Sequence, residues 1–344
     1  MRPDSALDVT DGSEVVSHCG PPVTGPTSTG AAWATPALPL ESSVLVVVES
    51  ASPTWATMDV ASGATTLVDS GWWSTSSIPL CLPCRSRVAV NRTPAAFLFP
   101  AGPKAVLGGA PLEGLARAVG SEFPPYSGTA EPLTVTTWTT PTGALNGAVE
   151  VVFHLAPEVG ADVQPGLITA VATANAALSG LGLEVHDQGH VTLPAGFGTV
   201  GTENVDVLFA QGTPVGVRRI PVYITVSLTA TDDRALDGTT PVPGPLGSLA
   251  RRPGPILVWT PAGVPGVTRP QALGRVLAHE LGHFLGLFHT RELGSTVVDP
   301  LVDTPEGSSD NLMDPQLLGV EVTPTQRRIV HGHPAVLHDC TSSP

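Results

Sequence analysis

The run His279-Glu280-Leu281-Gly282-His283-Phe284-Leu285-Gly286-Leu287-Phe288-His289 places three histidines and one acid within a single short stretch. His279 and His283 are four residues apart, so on a helix both imidazoles leave one face a turn apart and can reach one ion at about 2.0–2.1 Å. Glu280 follows the first of them and points into the same cleft without binding the ion, where it can take a proton from water. Gly286 is the predicted end of the helix, because only glycine enters the left-handed region cheaply. His289 then arrives from outside the helix as a third ligand and leaves a fourth position for water. The bland alternative is a core helix that happens to contain histidines. It needs five fixed positions to coincide in a chain with His 10.

Outward from this stretch, the helix is predicted over Pro270 to Phe288, with Thr268-Arg269-Pro270-Gln271 as a capped start. Upstream, Val149 to Leu155 reads as a strand. Asp162 to Leu181 reads as an amphipathic helix, with Val163, Leu167, Val171, Ala174 and Leu178 at three- and four-residue intervals and a stop at Gly180 or Gly182. Further strands are expected at Leu183–His186, Val205–Phe209, Ile220–Val226 and Pro255–Trp259. Pro221 places the third of these at a sheet edge. The order β-α-β-β-β-β-α describes a twisted sheet covered by helices, an α+β fold.

Residues 1–35 are rich in Pro, Gly, Ser and Thr and read as an extended arm. Over 36–143, short runs such as Ser43–Val48, Thr65–Val68, Arg87–Val90 and Ala96–Phe99 suggest a small antiparallel sandwich. Its end, 120–143, reads as a linker or a last strand. The domain with the histidines is expected over 144–344. No internal repeat is visible.

Composition narrows the function classes. Hydrophobic residues at 42% and charged residues at 13% indicate a folded chain. Gly 37 and Pro 36 favour short strands over a helical bundle. A formal charge of −14, with no long basic run, excludes nucleic acid as the expected partner. No apolar stretch of about 20 residues is available to span a bilayer. The start Met1-Arg2-Pro3-Asp4-Ser5 lacks the apolar core of a leader. Even so, low charge and four cysteines favour a secreted or cell-envelope location, with disulfides Cys19–Cys340 and Cys81–Cys84 preferred over a zinc site at Cys81-Leu82-Pro83-Cys84. A monomer is expected.

The stretch 279–289 resembles the metzincin metallopeptidases, whose signature is H-E-x-x-H-x-x-G-x-x-H followed by a methionine-bearing turn. Asp310-Asn311-Leu312-Met313-Asp314-Pro315 is similar to that turn. Gly286 to Thr290, Asp303-Thr304-Pro305, Asn311 to Met313 and Thr323 to Arg327 are most similar to pappalysin-like bacterial members. The resemblance spans about 150–334 and is sharp over 279–326. It implies a zincin domain with a mostly parallel sheet, an antiparallel edge strand lining the cleft and two main helices. It also implies Zn2+ on His279, His283 and His289, a zinc-bound water activated by Glu280, and Met313 as an apolar floor. The implied partner is an extended protein or peptide substrate. Pro315 excludes a tyrosine ligand two residues after the methionine.

Weaker signals remain. Asp299, Asp303, Glu306, Asp310 and Asp314 are either a Ca2+ loop or a solvated acidic loop. His331, His333 and His338 are expected at the surface. Cys19, followed by Gly20, is a latency-ligand candidate set against its disulfide reading. Two other functions stand beside the peptidase. One is a binding or adhesion module on 36–140, with Trp72-Trp73 as its candidate patch, and the other is a metal-binding relic, which the intact Glu280 disfavours.

Overall fold

The computed structural model describes residues 23–24, 28–29, 32–35, 42–51, 55–68, 87–88, 91–100, 111–119, 133–141 and 145–338, apart from 214, 248, 261–266, 294–296 and 318. The four cysteines and Trp72-Trp73 lie outside the described residues, and with them the expectations about disulfides, latency and an aromatic patch.

The N-terminal part is built from β1 (Val23–Thr24), β2 (Ser28–Thr29), β3 (Ala32–Ala34), β4 (Ser42–Ser50), β5 (Trp55–Ser62), β6 (Thr65–Val68), β7 (Arg87–Val88), β8 (Asn91–Arg92), β9 (Ala95–Phe99), β10 (Leu112–Val119) and β11 (Leu133–Pro141). One sheet runs β1-β11-β4-β9-β7 with β2 also on β11. The second runs β3-β10-β5-β6 with β8 on β5. All the pairings are antiparallel. The two sheets enclose a core of Val44, Val46, Val48, Phe97 and Phe99 against Met58, Val60, Leu112 and Ala116.

The β4 run is apolar without alternation because both of its faces are buried. Leu45 and Val47, with Ala96 and Leu98 of β9 and Trp138 of β11, belong to the larger core beneath the C-terminal part. Within residues 1–35, the described strands β1, β2 and β3 pair with β11 and β10. Main-chain hydrogen bonds hold such strands without any apolar period, and Trp33 packs flat over Gly114.

The C-terminal part contains β12 (Gly147–Leu155), α1 (Val163–Leu178), β13 (Leu183–Thr192), β14 (Thr199–Gly201), α2 (Val205–Phe209), β15 (Ile220–Thr225), β16 (Ser227–Thr229), β17 (Ala235–Leu236), β18 (Gly238–Thr239), β19 (Ile256–Val258), α3 (Arg269–Phe284) and α4 (Pro324–His331). Its main sheet has the order β13-β12-β15-β19-β18. The first four strands are parallel, and β18 closes the edge antiparallel to β19. α1 and α3 pack on one face through Val149, Val151, Phe153, Val222 and Leu257. On the other face Tyr223, Ile256 and Val258 meet Leu208 and Phe209 of α2. Among the described residues no helix is long and apolar enough to cross a membrane.

Two expectations are overturned. Val205–Phe209 is a helical turn and not a strand. Val207 is 56% exposed while its neighbours Leu208 and Phe209 are buried together, and Ala210 N closes the turn on Asp206 O at 3.1 Å. β15 is an inner strand despite Pro221. Its ladder to β19 begins at Tyr223, so the proline nitrogen faces that side one pair before a hydrogen bond is needed.

Candidate metal centre

Helix α3 starts at a capping box, where Thr268 N donates to Gln271 Oε1 at 2.9 Å and Pro270 sits in the first turn. From Ala272 to Phe284 it is almost wholly enclosed, including His279, Glu280 and His283. Close approach on two sides depends on glycine. A Cβ at Gly274 would lie 2.3 Å from Ala170 O of α1, and one at Gly282 would lie 2.6 Å from Met313 Sδ. The helix stops where expected: Gly286 has φ +103°, and the chain turns back to bring His289 over the end of α3.

The three imidazoles converge. His289 Nε2 lies 3.2 Å from His279 Nε2 and 3.0 Å from His283 Nε2, and these ligand atoms all fall within 4.8 Å of one another. Each opposite ring nitrogen has its own acceptor. His279 Nδ1 donates to Leu312 O at 2.8 Å, His283 Nδ1 to Leu287 O at 2.8 Å, and His289 Nδ1 to Glu292 Oε2 at 3.0 Å. A neutral imidazole carries one N–H, so these bonds put the proton on Nδ1 and leave three Nε2 lone pairs facing one point. Three lone pairs so close need a cation among them, and an all-imidazole donor set fits Zn2+.

Electrostatics agree. Burial, reinforced by His289, lowers the His279 pKa to about 3, and the same causes hold His283 well below the ordinary histidine value. Neither imidazole is protonated at neutral pH, the form that binds metal.

Glu280 is 6% exposed, and burial raises its pKa to about 8, with the Thr240 hydroxyl pulling weakly the other way. Its Oε2 is buried without a hydrogen-bond partner among the described residues. A Cβ at Gly238 of β18 would come within 2.6 Å of the other carboxylate oxygen, so the edge strand passes directly over this acid. Thr239, Thr240 and Pro241 along this edge also line a cavity of about 430 Å3 together with Phe209 of α2 and Trp55 and Arg92 of the sandwich; His279, Glu280, His283 and His289 are not among its walls.

Met313 is fully buried below α3, its N–H held by Asn311 Oδ1 at 2.9 Å and its carbonyl accepting from Thr290 N at 3.0 Å. Three of the acidic residues over 299–314 have separate partners. Asp299 pairs with Arg87, Asp303 accepts from Thr325 N at 2.9 Å at the start of α4, and Glu306 pairs with Arg291. His331 and His333, expected at the surface, are 2% and 0% exposed. They donate to Leu181 O at 2.8 Å and Gly244 O at 3.0 Å; His333 Nδ1 also accepts from Ala335 N at 3.2 Å, while His331 Nδ1 is buried without a partner among the described residues. His338 stacks on His331 at 5.2 Å. Among the described residues, His279, His283 and His289 are the group that could hold a metal. Sequence reasoning passed over Glu292, although its place three residues after His289 was a usable signal. It also passed over Thr240, Gly238 and Arg87, which carry none.

No family model matches the chain, and no curated protein matches it. Among solved structures it is similar to metalloproteinase-II from Bacteroides fragilis, with TM-score 0.36 and 15% identity over 56% of this chain and 55% of that one. It is similar to archaemetzincin from Methanopyrus kandleri, with TM-score 0.34 and 12% identity over 53% of this chain and 93% of that one. A chaperone-substrate complex gives TM-score 0.33 and 13% identity over 63% of this chain and 38% of the other. The chain thus spans about half the length of the Bacteroides protein it matches.

Proposed function

We propose that the chain is a zinc-dependent endopeptidase of the metzincin kind, with His279, His283 and His289 as metal ligands and Glu280 as general base. The observation that carries this reading is the convergence of three Nε2 lone pairs, and next in sequence to the first of them stands a buried acid, Glu280, whose Oε2 has no hydrogen-bond partner among the described residues. Zinc bound there supplies a Lewis acid for the scissile carbonyl. Glu280 would take a proton from the attacking water and hand it to the leaving amine, the general-base role open to a carboxylate on the ligand helix.

An extended peptide can pair with the outer edge of β18, the strand that passes closely over Glu280 at Gly238. Main-chain pairing tolerates many sequences. The cavity beside Thr239 and Thr240, walled by Trp55 and Phe209, can take a side chain from such a peptide. Met313, tight against Gly282, supports the ligand helix from below. The low charge and the cysteines favour an extracytoplasmic setting for this activity.

The test is digestion of a denatured protein mixture by the whole chain, with and without a chelator. Cleavage that stops on chelation and returns with Zn2+ supports the assignment. Cleavage indifferent to chelation removes it.

A further inference from the structure

Arg87 is the feature that this mechanism leaves unused. It lies on β7 in the N-terminal sandwich, yet its side chain is 4% exposed and serves the end of α3. Nε donates to Gly286 O at 2.8 Å, while Nη1 and Nη2 donate to the two carboxylate oxygens of Asp299 at 2.8 Å each. The guanidinium also covers the Phe288 ring at 3.8 Å from its centre.

Each contact adjoins a ligand. Gly286 precedes Leu287, whose carbonyl accepts from His283 Nδ1. Phe288 precedes His289. Thr290 follows His289, and its carbonyl accepts from Asp299 N at 3.4 Å. The residues on both sides of the third ligand are therefore tied to one side chain from a distant strand. Leu98 of β9 completes the grip, since a Cβ at Gly286 would lie 2.8 Å from Leu98 Cδ2.

A buried ion pair contributes little net stability, because desolvation offsets the attraction. What a rigid, bidentate guanidinium contributes well is geometry. We propose that Arg87 is a positioning residue of the metal centre, through which the sandwich fixes the turn that carries His289. The sandwich is then a standing part of that centre and not a segment that can be cut away. This rests on the zinc reading of the three histidines.

The test uses the full chain and two variants. Arg87→Lys keeps the charge and loses the fork. Arg87→Met combined with Asp299→Leu removes the pair without leaving a buried charge alone. Zinc affinity is measured by competition with a chelating dye, and folding by circular dichroism. Both variants are expected to fold and to hold zinc roughly 10–100-fold more weakly, the range typical of groups that orient ligands. A folded variant with unaltered zinc affinity overturns the proposal.

The unaltered chain provides a check that no misfolding can obscure. Coupling is reciprocal, so zinc must slow amide exchange at Arg87 and Val88. Exchange there that zinc leaves unchanged also overturns it. A chain that binds no zinc sinks the metal reading itself, a result distinct from zinc held equally well by all three proteins.

Discussion

Helices α1 and α3 are each 16 residues long and lie against each other, yet they are opposite in kind. α1 buries a single stripe, Val163, Gly166, Leu167, Ala170, Ala174, Ala177 and Leu178, and leaves Ile168 75% exposed. It carries no titratable side chain. α3 is enclosed on nearly all sides, and among its buried residues are two histidines and a glutamate. Enclosing such groups is costly unless something compensates them. In α3 the compensation is partial: both histidines are satisfied at Nδ1 and their Nε2 atoms turn toward His289, while Glu280 Oε2 has no hydrogen-bond partner among the described residues. One helix is shaped to pack and the other to hold polar groups poised.

The contrast breaks most sharply at Glu280. Replacement by Gln keeps the shape and removes the base, and peptide turnover is expected to fall about 10²–10⁴-fold with zinc content unchanged by metal analysis. Retained turnover would make α3 a packing helix like its neighbour.

The next effect lies at the contact between the two. Gly274→Val drives a branched side chain into Ala170 O and is expected to destabilise the chain by about 1–3 kcal/mol in urea titration.

pH separates the helices further. In the zinc-free chain the folded-state pKa of His279 is about 3 and those of His331 and His333 are about 4, all lowered chiefly by burial, against about 6.5 when unfolded. As pH falls, the unfolded chain takes up protons first at these histidines, while Glu280, raised to about 8 by burial, is protonated first in the folded chain and offsets part of the loss. Stability present above pH 6.5 is therefore lost progressively toward pH 4, readable as a falling thermal midpoint. Zinc, bound to neutral imidazoles, should move the onset of that loss to lower pH. The smallest effect is expected on the open face of α1, where Ile168→Ser should change stability by less than about 0.5 kcal/mol.

Both helices, with their stops at Gly182 and Gly286, are readable from the sequence, because apolar spacing and glycine conformation are local properties. So is the meeting of His279, His283 and His289, since a helix followed by a tight turn leaves few alternatives. Val205–Phe209 misleads because β-branched composition favours a strand, while the burial of adjacent Leu208 and Phe209 decides for a helical turn. Pro221 misleads because composition does not reveal where a ladder begins. Arg87 is invisible for a different reason. Its partners Gly286 and Asp299 are 199 and 212 residues away, and no period or motif links positions so remote.

That same separation bears on how the protein comes into being. Leu45, Val47 and Leu98 form an apolar surface whose covering strands and helices are made much later. The interval from Arg87 to Asp299, 212 residues, takes roughly 10–40 s at ordinary translation speeds. For that time the nascent half-molecule shows a greasy flank to its surroundings. Holding it apart from other chains until translation finishes is work for a chaperone, and its yield in a cell should depend on one being present.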